Sequence, residues 1–291
     1  MNKLTALLLC ATSYNLLAQT ALLPHTTDWI KDNVFTQGIE GPAVDNKGHL
    51  YAVNFKNQGT IGKVIKKDQA QLFITLPKGS IGNGIRFDSH NNMFIADYTG
   101  HNILKVDNKT KLVTVFAHNK KMNQPNDIAI MKSGVLFASD PNWSNNTGNL
   151  WRIDKDGSTH LLESNMGTTN GIEVSNDQKL LYINESKQRK IWQYDIQKGN
   201  TLINKRLLIE FPDFGLDGMR TDIKGNLYVA RYGKGVIAKV SPQGKLLKEI
   251  QLRGKFPTNI AFGGNNRDQI FITMQKRGAI ETIMADYSGA N

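Results

Sequence analysis

Six polar side chains recur along this chain at a nearly constant interval. Glu40, Asn83, Asn126, Asn170, Asp217 and Thr258 are separated by 43, 43, 44, 47 and 41 residues. Carboxylates and side-chain amides are hard oxygen donors of the kind that calcium and magnesium prefer, and no His or Cys stands among them to favour a softer metal. A single Asn or Asp of this kind would carry no weight, because both are common before turns. Six polar residues in register, two of them acids, suggest a ring built around a cation. A second set keeps the same rhythm: Asn54, Asp97, Asp140, Glu185, Arg231 and Met274. In an antiparallel hairpin the end of the second strand lies beside the start of the first, so this set is expected at the same place. Its mixed chemistry suits substrate contact, with Asp140, Glu185 and Arg231 as candidates beside Asn83 of the first set; a supporting role behind the ligands explains its acids equally well.

The elements that must position these residues are legible as a repeat. IEGPAVDNKGHLYAVN at 39–54, GNGIRFDSHNNMFIAD at 82–97 and PNDIAIMKSGVLFASD at 125–140 align with three later segments. Each is a short apolar strand, a turn rich in Gly, Asn, Asp or Lys, and a second strand with a central aromatic. Those aromatics are Tyr51, Phe94, Phe137, Tyr182, Tyr228 and Phe271, spaced by 43, 43, 45, 46 and 43 residues. A period in the forties leaves room for about four strands per unit, which predicts an all-β, six-bladed β-propeller spanning residues 22–291 as one domain. If the first strand of each unit is innermost, pseudo-sixfold symmetry gathers the ring at one end of a central channel.

The bulk composition agrees with a folded domain: 291 residues, 40% hydrophobic and 21% charged. The formal charge is +11, but the lysines are scattered and no nucleic-acid-binding motif accompanies them, so a nucleic-acid partner is not expected. The N-terminus places Lys3 before a mostly apolar run and ends at Ala18-Gln19, the order of a secretory signal peptide over residues 1–18. Export to the periplasm or the exterior is therefore expected, with no membrane span after cleavage. Cys10 is the sole cysteine and lies in that segment, so disulfides and thiolate metal sites are not expected in the processed chain.

Several of these motifs together resemble the SMP-30/gluconolactonase/LRE-like family. The resemblance is carried by Glu40-Gly41-Pro42, Pro125-Asn126-Asp127, Asn170-Gly171-Ile172 and Leu216-Asp217-Gly218-Met219, with Phe137 to Pro141 and Phe262-Gly263-Gly264 in support. It implies a six-bladed, metal-dependent lactonase or esterase. Glu40, Asn170 and Asp217 would then be metal ligands, Asn126 would touch metal or substrate, and Asp217 would also transfer a proton. The implied cofactor is one divalent cation, calcium foremost, with zinc, magnesium or manganese as alternatives. One position departs from the family: sugar-lactone hydrolases resemble Arg-x-Asn-Asp where this chain has Gln124, which removes a cationic contact to substrate.

A cation of this kind can act as a Lewis acid on a lactone or ester carbonyl. Nucleophilic catalysis has little support, because there is no Gly-x-Ser-x-Gly elbow and no cysteine beyond Cys10. Two other readings stand beside the lactonase. One is a non-catalytic binding propeller with a structural metal; the other is a strictosidine-synthase-like enzyme, against which the Glu40, Asn170 and Asp217 set argues. The Asn-rich stretch from Pro141 to Asn149 is the segment expected to form any lid over the channel.

If the signal-peptide reading holds, protein recovered from outside the cytoplasm begins near Gln19 on N-terminal sequencing. An intact Met1 on exported protein would contradict it.

Overall fold

The computed structural model describes residues 25–290, so the signal-peptide reading and Cys10 lie outside the described residues. Strands arrange as six antiparallel sheets of four strands each; five are meanders, and the sixth takes its outer strand from the start of the described chain. Blade 1 begins at Ala43–Val44, blade 2 at Gly82–Phe87, blade 3 at Ile128–Ile130, blade 4 at Thr169–Val174, blade 5 at Met219–Thr221 and blade 6 at Pro257–Gly263. These six first strands touch one another in sequence, and the last touches the first, so they line a closed channel. The six-bladed propeller expected from the repeat is the observed fold.

Packing explains why the aromatic of each second strand recurs. The buried apolar residues fall into six clusters, one at each contact between neighbouring blades, and each cluster contains one repeat aromatic: Tyr51, Phe94, Phe137, Tyr182, Tyr228 or Phe271. All six are at most 5% exposed. Burial of a large aromatic contributes a few kcal/mol, and a blade obtains it only against its neighbour.

Ring closure uses a strand from the other end of the chain. Thr27–Ile30 forms the outermost strand of blade 6, pairing Thr27 with Thr282 and Ile30 with Ile280. Around this joint Arg277 reaches Asp28 at 2.9 Å and Glu281 at 2.8 Å, and the Thr26 hydroxyl donates to Glu281 at 2.5 Å. The joint leaves blade 6 without a free edge where the first and last segments meet.

Candidate functional site

The ring residues reach the channel because each inner strand is interrupted where it begins. In blades 2, 4 and 6 one extra residue is inserted opposite the second strand, between Gly82 and Ile85, Thr169 and Ile172, and Pro257 and Ile260. Blades 3 and 5 achieve the same ahead of the regular strand. Ser139 bonds both Asn126 and Asp127, and Ala230 bonds both Asp217 and Gly218. A bulge re-aims side chains that simple alternation would send elsewhere. Three ring residues therefore precede their strands by two or three positions: Glu40, Asn126 and Asp217.

Glu40, Asn126 and Asn170 are buried, at 7%, 6% and 3% exposure. Glu40 accepts from the Gly41 backbone N–H and from Asn259 Nδ2, the latter at 3.2 Å. Burial, and next the negative charge of Asp127, push its carboxyl up to about 7. Asp217 lies well above the usual carboxylate range, first through burial, then through Glu40 and Asp127. Each acid is thus disfavoured as an anion by burial and by a neighbouring negative charge. Asn126 Oδ1 and Asn170 Oδ1 are buried acceptors without a hydrogen-bond partner. An orphaned buried carbonyl costs about 1 to 3 kcal/mol, and here two of them accompany two carboxylates lacking a cation. That donor set fits a hard divalent ion. Among the described residues no three His, Cys, Asp or Glu side chains converge as a metal site, so amides would have to complete the coordination.

Two ring members do other work. Thr258 Oγ1 hydrogen-bonds Thr273 Oγ1 at 2.8 Å and donates to the Ile39 carbonyl at 3.2 Å. Asn83 Nδ2 donates to the Asn126 carbonyl at 3.1 Å, which braces a neighbour's backbone.

Deeper in the channel lies a charged layer that the ring pattern did not reveal. Arg86 pairs with Asp127 at 3.2 Å and Glu173 at 3.3 Å, and Arg220 approaches Asp127 at 3.5 Å. Asn259 Nδ2 also reaches Asp127, at 3.4 Å. The two arginines are thereby matched to Asp127 and Glu173, which leaves Glu40 and Asp217 with no full counter-charge. A signal for this layer was present in the repeat. The position after each ring residue reads Gly41, Gly84, Asp127, Gly171, Gly218, Asn259, and the position two further on reads Ala43, Arg86, Ala129, Glu173, Arg220, Ala261. Small residues make room for large ones: a Cβ on Gly84 would collide with Asp127, and one on Gly218 with Asn259.

Three members of the second set bond to protein groups around the mouth. Asp140 is 0% exposed and accepts from the Gln124 backbone N–H at 2.6 Å, from Asn123 N–H at 2.7 Å and from Trp151 Nε1 at 2.9 Å. Glu185 accepts from Gly167 N–H at 3.0 Å. Arg231, also 0% exposed, binds Asp213 at 2.8 Å and Glu249 at 3.4 Å and stacks 3.9 Å from the Phe211 ring centre. Asp140, Glu185 and Arg231 thus engage protein partners, the supporting role that stood beside substrate contact as the reading of these residues. Burial between strands requires their charges to be satisfied locally, so they hold the loops around the mouth.

An open cavity of about 540 Å³, lined by none of the ring residues themselves, is bounded by Tyr98, Thr99, Asn123, Gln124, Asn142 and Trp143. Gln124 is one of its lining residues. The segment expected as a lid is an ordered hairpin, with Leu136–Asn142 paired to Thr147–Ile153. Lys187 on blade 4 fastens its tip by donating to Asn146 Oδ1 at 2.5 Å and the Trp143 carbonyl at 3.2 Å.

Comparison with known proteins is consistent with this geometry. The profile of the SMP-30/Gluconolactonase/LRE-like region matches residues 38–276. A gluconolactonase from Zymomonas mobilis is 28% identical over 66% of this chain and 60% of its own length. A pentonolactonase from Haloferax volcanii is 27% identical over 51% and 52%, and a diisopropyl-fluorophosphatase from Loligo vulgaris 27% identical over 84% and 87%. The chain thus spans about half to three-fifths of the two lactonases. Among solved structures, regucalcin from Agrobacterium tumefaciens superposes with a TM-score of 0.78 at 19% identity, covering 91% of this chain and 95% of that one.

The buried layer gives a stability test. Arg86→Met would leave Asp127 and Glu173 short of a counter-charge, and a broken buried pair costs about 3 to 5 kcal/mol. Urea unfolding should show a loss of that size; a change below about 1 kcal/mol would mean that the pairing does not hold the channel together.

Proposed function

The chain belongs to the SMP-30/gluconolactonase/LRE-like family, and on that basis we propose that it is a divalent-cation-dependent hydrolase of lactones or closely related esters, working at the Glu40 mouth of the channel. One observation carries the cation requirement: Glu40 and Asp217, carboxyls pushed up by burial and by neighbouring acids, accompany the orphaned Oδ1 atoms of Asn126 and Asn170. Those four residues would hold the ion, and all-oxygen donation favours calcium. When bound, the ion supplies a Lewis acid for the substrate carbonyl.

The remaining steps belong to the protein. Asp217 is more exposed than Glu40, half-buried where Glu40 is 7% exposed, which makes Asp217 the acid better placed to take a proton from attacking water. Asn259 and Gly41 fix the Glu40 carboxylate, and the Asp140 carboxylate fixes the backbone that carries Gln124. Tyr98 and Trp143 line the open cavity, and Tyr232 stands near Asp217, stacked on Phe256 at 5.1 Å. Aromatic walls with a neutral amide suit an apolar or aryl acyl group better than a polyhydroxylated sugar ring, because no guanidinium is offered to several hydroxyls. Assays should also include diisopropyl fluorophosphate, since the relative of that name aligns over most of the chain.

Asp217→Ala should abolish calorimetric calcium binding and lower kcat/KM on the best lactone by about 100-fold or more, with an unchanged circular dichroism spectrum. Full activity with unaltered calcium affinity would remove the ring from the mechanism. A panel of lactones and aryl esters on which the native chain is inactive at every calcium concentration would favour a binding propeller instead.

Gln124→Arg should move selectivity toward sugar lactones, raising the kcat/KM ratio of a sugar lactone to an apolar lactone by about tenfold. An unchanged ratio would mean that position 124 does not meet substrate.

A further inference from the structure

The inner strands run from the Glu40 ring to the opposite mouth of the channel, and there the structure has a second cavity, of about 550 Å³. It is lined where those strands end, by Val44, Phe87, Ile130, Val174, Thr221 and Phe262. The paired layer of Arg86, Asp127, Glu173 and Arg220 stands between the two mouths.

Cations surround this second cavity. Lys105, Lys132, Lys155 and Arg267 line it, and none of the four has an ion-pair partner among the described residues. The two acids in the lining are already engaged. Glu173 is paired with Arg86, and Asp88 accepts from the backbone N–H groups of His90 and Asn92 at 2.9 and 2.8 Å.

Two buried donors at the cavity are also unsatisfied. Arg220 is 8% exposed and uses Nη1 on the Met219 carbonyl at 2.7 Å, but its Nη2 has no partner. Thr221, 1% exposed, has a hydroxyl with no partner. Buried donors without acceptors are costly, and an anion in the cavity would supply the acceptor. An apolar part of the lining is supplied by Phe94, Phe116 and Met131 together with Phe87 and Phe262, while Asn46, Ser89, His90 and Ser133 add neutral polar groups. The volume falls in the range of small-molecule sites.

We propose that this far mouth binds a small organic anion, a carboxylate or phosphate carried on an apolar or aromatic body. The anionic head meets Arg220 Nη2 and the unpaired cations; the body packs on the phenylalanines. This site is separate from the metal-ligand ring and does not depend on the hydrolase reading.

Calorimetric titration of the full chain with 4-phenylbutyrate, phenyl phosphate, inorganic phosphate and the neutral 4-phenylbutyramide tests the proposal. At least one organic anion should bind with a Kd below about 1 mM, equally well in calcium and in chelator, and at least about tenfold more tightly than the amide or inorganic phosphate. Which of the two binds tighter identifies the head group. The variant carrying both Lys132→Gln and Arg267→Gln should weaken that binding about tenfold or more, with melting temperature and basal hydrolysis unchanged. Failure of both organic anions to bind, an equal affinity for the amide or for inorganic phosphate, loss of binding in chelator, or undiminished binding in the double variant would each overturn it.

Discussion

Two carboxylates, Glu40 and Asp217, share one mouth of the channel, and the arginines below them are already matched to other acids. Two unit charges a few ångströms apart repel by roughly 4 kcal/mol at an effective dielectric near 20, and burial adds to that cost for each. The protein meets this at Glu40 with the Gly41 N–H and Asn259, and at Asp217 with Asn170 and the Gly218 N–H. Neither supplies a positive charge. The amide oxygens of Asn126 and Asn170 face the same deficit from the other side, as acceptors without donors. One divalent cation would relieve all four at once, and the fold can carry the strain meanwhile because its stability resides in the six apolar contacts between blades.

The same inner strands produce two mouths of opposite character. Bulges turn acids and amides inward where the strands begin. The Arg86, Asp127, Glu173 and Arg220 layer closes the middle as a nearly neutral plug. Past it, unpaired lysines and Arg267 leave the far mouth positive. A negative mouth and a positive one, divided by paired charges, let one channel address a cation at one end and an anion at the other without either field cancelling its neighbour.

Much of this could be read from the chain. The blade count, the inner-strand ring and the aromatic of each second strand all follow from a period that only a closed array of sheets explains, and every repeat aromatic occupies a different inter-blade cluster. What stayed hidden was direction. Asp140, Glu185 and Arg231 share the rhythm of the ring, yet a residue beside the mouth can point between strands, and a period cannot distinguish the two. Arg86, Glu173 and Arg220 were legible in principle, since each is the large member of a column otherwise filled by alanine. Recognising them required knowing that bulges offset the alternation by one residue. The far cavity was not legible, because Lys105 and Lys155 lie outside the aligned hairpins and Arg267 falls in a turn whose residue types vary from repeat to repeat.

The account rests on the claim that the Glu40 and Asp217 pair is completed by a divalent cation. Thermal unfolding of the full chain, first in chelator and then over a calcium series, tests it most directly. Binding restricted to the folded state adds about 2.7 kcal/mol at one hundred times the dissociation constant, so the melting temperature should climb steadily with calcium, and an equal ionic strength of sodium chloride should not reproduce the rise. A melting temperature identical in chelator and in millimolar calcium, magnesium, manganese or zinc would contradict the account.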